Sequence, residues 1–319
     1  MKNKFYFKLI FFYILAAASL KAQDTDNHQE KMDNMFDKPK IEIKTIGILL
    51  YDGYTTLDAI GPYQMFSELM GTQVFFVGRH LGIIESMSGM KVQADTSINE
   101  VGHLDILLIP GGFKETYMLT KDTTLINWIK EIDKNSVFTT SVCTGAWILG
   151  AAGVLKDKEA TTHWYGKKIL SEEFGAIVQN ERYVKSGKYW TSAGVTAGMD
   201  MSLAIINEIM GEKYTKAAML DLEYDPQPPF EGGSVEKTDA NLVKEMREMY
   251  DGGMKEIQNP SSDINTTKYE NNYDPICKMS VKDNASYILE YDGKHYGFCS
   301  KSCMEKFNED PKKYLSDIR

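Results

Sequence analysis

The sequence predicts an α/β fold: a doubly wound, mostly parallel sheet covered by helices, followed by a small α+β module of metal-binding type. Three observations carry this. Short apolar runs alternate with segments whose apolar residues recur at helical spacing. The runs are apolar almost throughout, as strands buried on both faces require. Three of the four cysteines, Cys277, Cys299 and Cys303, gather near the C-terminal end, far from Cys143.

Taken in order, "MKNKFYFKLIFFYILAAASLKA" has early lysines, about twelve mostly apolar residues and then small ones. A bilayer span needs ~20 apolar residues, so residues 1–22 read as a signal peptide of an exported protein, with the bacterial periplasm as the expected destination. A retained membrane anchor is the alternative. Residues 23–43 read as a flexible tether, because they are polar and lack an apolar period. "KTIGILLYDG" is a buried strand closed by a turn, and "TLDAIGPYQMFSEL" is a helix. "TQVFFVG" and "LDILLIPGGF" are further strands, and "TTLINWIKEIDKN" is an amphipathic helix. "SVFTTSVC" then feeds the helix "GAWILGAAGVL", and "KYWTSAGVTAGMDMSLAIINEIMG" gives a late strand and a long helix. The first domain runs over residues 44–235. Residues 236–272 hold an amphipathic helix, with Leu242, Val243, Met246, Met249 and Tyr250 on one stripe, and a linker. The stripe is expected to dock on the main domain or on a twin subunit. Residues 273–319 form the C-terminal module.

Net charge is −9, and loss of residues 1–22 removes four lysines and no acid, leaving −13. Such a surface repels phosphate backbones, so no nucleic-acid partner is expected.

Cys143 stands on the bend between a buried strand and a helix. A side chain there points out of the sheet, and the helix N-terminus offers N–H groups that favour a thiolate. A small buried hydrophobe is the bland alternative. Thr144 adds a hydroxyl beside the sulfur. Asp58, at the start of the helix after the first strand, is the candidate acid–base partner, or else a helix cap. Gly112, in the pair Gly111-Gly112, and Gly145 are the candidate oxyanion and substrate-binding positions, with an ordinary turn as the alternative for the pair. His163 is a candidate distal base or a structural residue.

"GILLYDGYTTLDAIGP", "DILLIPGG", "SVCTGAWILGAAGVLKDKEATTHW", "WTSAGVTAGMDMSL" and "YDPQPPFEGGS" together resemble the ThiJ/PfpI group of the class-I glutamine-amidotransferase-like superfamily, in the branch containing isonitrile hydratase. The likeness covers about residues 44–235. It implies a flavodoxin-like sheet, a homodimer, a cysteine on a nucleophile elbow and no cofactor in the large domain. It also implies that Cys143, Thr144 and Asp58 serve activity. The protease-like branch places a histidine after the cysteine; Thr144 stands there instead, so a Cys-His protease site is not supported. Regulators of the group append a helix-turn-helix module, which the C-terminal sequence does not resemble. The implied reaction is that of a hydratase or lyase on a small molecule: isonitrile plus water giving an N-substituted formamide.

"YDPICKMSV" with "YDGKHYGFCSKSCMEKFNEDPKKY" resembles the YHS domain, with Lys278 where a glycine is usual. Cys299 and Cys303 are four apart and share a helix face, and a hairpin turning at Asp292-Gly293 can bring Cys277 to them. Three thiolates suit a soft heavy-metal ion such as Cu(I), or zinc with a fourth ligand, for which His295 and Asp274 are both candidates. A disulfide of Cys277 with Cys299 or Cys303, leaving one free thiol, is the alternative. Two readings compete with the enzyme: a non-catalytic metal-handling or stress-response protein using the large domain as a dimeric scaffold, and a redox sensor acting through Cys143.

Overall fold

The computed structural model describes residues 35–258 and 269–315, apart from 279–280, 282–284, 286 and 300. The expected signal peptide, the first part of the tether and most of the linker lie outside the described residues.

The strands, in chain order, are β1 (Thr45–Leu50), β2 (Gln73–Gly78), β3 (Ile83–Glu85), β4 (Lys91–Gln93), β5 (Thr96–Ser97), β6 (Ile106–Ile109), β7 (Phe138–Val142), β8 (Glu159–Ala160), β9 (Ile177–Val178), β10 (Tyr183–Ser186), β11 (Tyr189–Ser192), β12 (Tyr287–Tyr291) and β13 (Lys294–Phe298). Seven of them form the central sheet in the order β10-β11-β7-β6-β1-β2-β5. All its neighbours pair in parallel except the antiparallel edge β10/β11. The doubly wound sheet predicted from the alternating pattern is therefore present. Ile46, Ile48, Leu49 and Leu50 of β1 and all of β6 are fully buried. Each such side chain contributes roughly 1.5–3 kcal/mol by leaving water.

The strand order reverses at β1, which is flanked by β2 on one side and β6 on the other. In open α/β sheets the crevice lies at such a reversal, beyond the carboxyl ends of the strands. Asp58 follows β1, Gly111-Gly112 follows β6 and Cys143 follows β7.

Helix Thr123–Asn135 has Asp122 as N-cap, its carboxylate accepting from the N–H groups of Thr124 and Leu125. Its buried Leu125, Ile129 and Ile132 follow helical spacing. Helix Ala240–Gln258 starts at Asp239, whose side chain accepts from the N–H groups of Asn241 and Leu242. This helix docks differently from the expected stripe. Leu242 and Met249 stay exposed, while Tyr250, Met254 and Ile257 meet the domain. Val243 and Met246 line a cavity against the domain, so part of the stripe faces it and the contact continues past the stripe's end.

Asp292 and Gly293, at φ +52° and +71°, form the tight turn between β12 and β13, as Asp-Gly predicts. Helices Lys301–Glu309 and Pro311–Leu315 complete the small module. Its core is Tyr296, Phe298, Cys303 and Phe307, with the Phe298 and Phe307 rings 5.1 Å apart. It forms one compact unit with Ile43–Ala204, while Ile205–Tyr224 groups with the residues before Ile43. Within that second group Lys40 N–H donates to the Ile209 carbonyl at 2.7 Å, and the Phe36 and Tyr214 rings lie 4.7 Å apart.

Candidate active site and candidate metal centre

Cys143 adopts φ +56°, a left-handed conformation that costs an L-residue about 1–3 kcal/mol. The surroundings hold it there. Its N–H donates to the carbonyls of Ser192 and Ala193, and its carbonyl accepts from Thr162 Oγ1 at 2.7 Å. The next turn needs glycine on both sides of a close approach. A Cβ on Gly145 would lie 2.2 Å from the Ile109 carbonyl oxygen, and one on Gly111 would lie 2.8 Å from Cys143 Cβ. The loop after β6 is thus pressed directly against the elbow.

Thr144 locks that loop. Its hydroxyl donates to the Gly112 carbonyl at 2.6 Å and accepts the Gly112 N–H at 3.0 Å. The Gly111 N–H donates to Asp58 Oδ2 at 3.0 Å. The expected oxyanion role of Gly112 therefore meets a competitor, because its amide is already engaged by Thr144 Oγ1. Asp58 is not the helix cap, since Thr55 occupies that position. Asp58 is fully buried and its Oδ1 has no hydrogen-bond partner.

The electrostatics follow from burial. Burial raises the Asp58 pKa to about 7, against the lowering effects of the Gly111 N–H and the Cys143 thiol. The Cys143 thiol is pushed well above its ordinary value, first by burial and then by the Asp58 charge. The Thr144 N–H and hydroxyl pull the other way and lose. The sequence predicts a resting thiolate; the structure places a protonated thiol beside a carboxyl that titrates near neutrality. The helix that follows, Gly145–Ala151, has 7 residues, and its end does not outweigh the burial of Cys143.

Two tyrosines that the sequence does not mark as site residues frame this pair. The Tyr51 hydroxyl donates to the Pro110 carbonyl at 2.9 Å and shares a 2.8 Å hydrogen bond with Thr116. It lies within electrostatic reach of both Asp58 and Cys143. Tyr250 stacks on Tyr165 at 4.8 Å and lies within electrostatic reach of Cys143. Phe113, His163 and Trp164 complete an aromatic wall around Tyr250. Burial pushes His163 down to about 4, so the imidazole is neutral at neutral pH and part of that wall. Tyr51 ends an apolar strand, a position that could have flagged it. Tyr250 lies far away in the sequence and carries no such signal.

A cavity of about 520 Å³ opens beside the elbow, lined among others by His163, Trp164, Gly194, Val195, Val243 and Met246. It also touches Ala193, whose carbonyl holds the Cys143 N–H. Val195 sits at φ +43°, an outlier for a β-branched residue.

In the small module, single ligand atoms of Asp274, Cys277, Cys299 and Cys303 all lie within 4.8 Å of one another. Cys277 Sγ is 3.2 Å from Cys299 Sγ, which is 3.8 Å from Cys303 Sγ. All four cysteines of the chain are free thiols. The structure also separates the two candidates for a fourth ligand. His295 faces Glu290 at 4.0 Å on an exposed strand face, whereas Asp274 is buried among the sulfurs. Its Oδ1 accepts from the N–H groups of Ile276 and Cys277, and its Oδ2 from that of Cys299. Crowding by neighbouring sulfurs raises the Cys299 and Cys303 thiols. A soft cation reverses that penalty, so the donor set fits Cu(I) or zinc, whose binding would draw these thiols together as thiolates.

Residues 44–208 match the model of the DJ-1/PfpI family. The chain belongs to the DJ-1/PfpI family. Residues 273–317 match the YHS domain. Among relatives of the DJ-1/PfpI domain, isonitrile hydratase of Pseudomonas putida is 36% identical over 202 residues, covering 63% of this chain and 88% of that protein. A ThiJ/PfpI family protein from Pseudomonas syringae superposes with TM-score 0.67 at 34% identity, over 70% of this chain and 93% of that one. The transcriptional regulator CdhR of Pseudomonas aeruginosa is 30% identical over 131 residues, 41% of this chain and 38% of the regulator. The DJ-1/PfpI domain thus has a hydratase and a regulator among its relatives.

Proposed function

We propose that the DJ-1/PfpI domain is a cysteine-dependent hydratase that converts an isonitrile and water to an N-substituted formamide. The observation that carries this reading is the buried Asp58–Cys143 pair, with Asp58 titrating at about 7. Likeness to isonitrile hydratase over most of that protein's length supports it.

In this reading the substrate's substituent occupies the cavity beside Trp164 and Val195, and its terminal carbon meets Cys143 Sγ. Ionised Asp58 takes the thiol proton as the sulfur attacks. The same carboxyl returns that proton to the former terminal carbon, giving a thioimidate, R–N=CH–S–Cys143. Water then adds to this carbon, with Asp58 as the base. Asp58 passes the proton it takes from the water to the nitrogen. The added hydroxyl gives up its own proton as the C–S bond breaks and the carbonyl forms, that proton goes to the sulfur, and R–NH–CHO leaves. A carboxyl titrating near the working pH suits both directions of transfer. Thr144 acts by holding Gly112 and, through it, the loop whose Gly111 orients Asp58. Gly145 permits the close approach.

We further read the protein as exported, from residues 1–22, as a homodimer, and as a heavy-metal binder through its YHS domain. Asp274, Cys277, Cys299 and Cys303 would hold the ion. The metal-handling alternative rests on this cluster.

The test is turnover of alkyl and aryl isonitriles by purified protein, with formamide followed by NMR. Formamide release that disappears in Cys143→Ala is expected, with a loss of at least ~10³-fold. No turnover of any isonitrile, or full activity in Cys143→Ala, overturns the reaction. Metal binding without turnover favours the metal-handling protein.

A further inference from the structure

We propose that helix Ala240–Gln258 is the specificity wall of the site: Tyr250 fixes it over the elbow, and Val243 and Met246 share the cavity lining with Trp164 and select a substrate with an aromatic substituent. The reaction named for that substrate rests on the hydratase reading.

The helix lies beyond residues 44–208, the span of the family match, yet it packs on the loops around Cys143. In the sheet, β7, which leads into Cys143, lies between β6 and β11. Phe113 follows β6, and Gly194 follows β11. The segment His163–Tyr165 is tied to the elbow through Thr162, whose hydroxyl donates to the Cys143 carbonyl. Tyr250 bridges these parts. Its ring centre lies 5.5 Å from that of Phe113, 5.8 Å from His163, 5.7 Å from Trp164 and 4.8 Å from Tyr165. Asp251 accepts a 2.9 Å hydrogen bond from the Tyr165 hydroxyl, and a Cβ on Gly253 would stand 2.9 Å from the Phe113 ring. The Arg247 guanidinium lies 5.2 Å from the centre of the Trp164 ring. Rings, one hydrogen bond and a close glycine contact therefore pin the helix across the crevice.

Val243, Met246 and Tyr250 recur at helical spacing, so the face that brings Tyr250 to the elbow brings the other two into the cavity lining. The cavity, about 520 Å³, is of the size that encloses a whole ligand. Its charged lining is balanced. Arg182 pairs with Asp200, Lys167 Nζ donates to Asn180 Oδ1 at 2.9 Å, and Glu181 and Glu236 stand on the same lining. Charge thus gives an ionic substituent no advantage, and a cationic one would meet Arg247 over Trp164. The uncharged side is an indole, a thioether and the valines Val195 and Val243. An aromatic ring gains from an indole and a thioether beyond what an aliphatic group of equal area gains.

The test compares methyl, benzyl and cyclohexylmethyl isonitrile as substrates of the full chain. Wild type is expected to favour benzyl over cyclohexylmethyl by ~3–10-fold in kcat/KM. Met246 is partly exposed, so its truncation leaves the fold intact. Met246→Ala is expected to raise KM for benzyl isonitrile ~5–10-fold at unchanged kcat, and to leave methyl isonitrile unaffected because its substituent is too short to reach the helix. Tyr250→Leu should raise the same KM, and Tyr250→Phe, which keeps the ring, should restore it. Equal rates for benzyl and cyclohexylmethyl overturn the aromatic class. An unchanged benzyl KM in Met246→Ala, or an equal loss on methyl isonitrile, overturns the wall; the hydratase reading survives each of these results. A readout without turnover separates the two readings. With isotope-labelled methionine methyl groups, N-benzylformamide should shift the Met246 NMR signal, identified by its loss in Met246→Ala, and N-methylformamide should not. That shift in a chain that turns over no isonitrile overturns the reaction and keeps the wall, whereas no shift overturns the wall.

Discussion

The two cysteine sites of this chain are built from the same parts and differ in what the parts are free to do. Each has a buried aspartate beside a buried thiol, and burial raises both carboxyls, Asp58 to about 7 and Asp274 to about 6. Asp274 receives three backbone N–H groups, from Ile276, Cys277 and Cys299, and acts as a clip that gathers the cysteine loops. Asp58 receives one, from Gly111, and keeps Oδ1 open. The thiols differ in the same way. Burial and a single carboxyl hold Cys143 protonated, whereas neighbouring sulfurs hold Cys299 and Cys303 protonated. The first arrangement is relieved by moving a proton to the acid beside it. The second is relieved by a cation. In the proposed reading, hydrogen bonding of the carboxyl, more than its presence, separates the site for proton transfer from the site for holding an ion.

Replacing Asp58 by Asn should show the largest effect. Turnover is expected to fall by roughly 10²–10⁴-fold. In the wild type, kcat/KM should rise with pH and level off above about 7 as Asp58 ionises, and Asp58→Asn should lose that limb. Stability should move the opposite way. The folded chain keeps the Asp58 proton up to about pH 7, while an unfolded chain loses it near 3.8. Stability therefore falls between about pH 4 and 7 and stays low above that. Asp58→Asn should accordingly gain roughly 2–4 kcal/mol at pH 8 and almost nothing below pH 4, read by urea unfolding. A variant destabilised equally at both pH values would break the comparison, because Asp58 would then be a clip like Asp274.

The metal prediction addresses the other side. Stripping the chain with a strong chelator under reducing conditions should loosen the YHS module and leave the DJ-1/PfpI domain folded. Amide hydrogen exchange over residues 287–309 should accelerate while β1, β6 and β7 stay protected. The module has few large buried groups, chiefly Phe298, Phe307 and Tyr296, to replace a lost ion. Unchanged protection after metal removal would show that Asp274 and the aromatic core suffice, and would favour a module that does not depend on an ion.

Much of this was legible in the sequence, and the boundary of legibility is physical. Apolar runs such as "ILLI" fix buried strands, and a strand end fixes where a side chain can reach a crevice, so Asp58 and Cys143 could be paired without coordinates. The Asp-Gly hairpin was equally readable, because the turn demands left-handed residues. The protonation state of Cys143 was not, since it depends on how completely residues from β6, β7 and a distant helix cover the sulfur. Tyr250 was missed for the same reason: its stripe suggested docking but not the partner. The choice between Asp274 and His295 was open from spacing alone. Strand alternation decides it, because Tyr296 and Phe298 face inward and leave His295 on the other face.

The smallest expected effect tests backbone strain, which the two sites also share. Cys143 sits at φ +56° and Lys278, directly after Cys277, at φ +61°. At the elbow the strain cannot be removed by glycine without removing the sulfur that the turn presents. At Lys278 it can, because the neighbouring cysteine is untouched. Glycine adopts this conformation freely, while its greater freedom in the unfolded chain offsets part of the gain. Lys278→Gly should therefore stabilise the YHS module by ~0.5–1 kcal/mol, measured by urea unfolding of the full chain with a probe confined to that module. It should leave isonitrile turnover unchanged. A loss of stability instead would mean that the lysine side chain contributes more to the opening turn than its backbone costs, and the strain at the two cysteines would then have different origins.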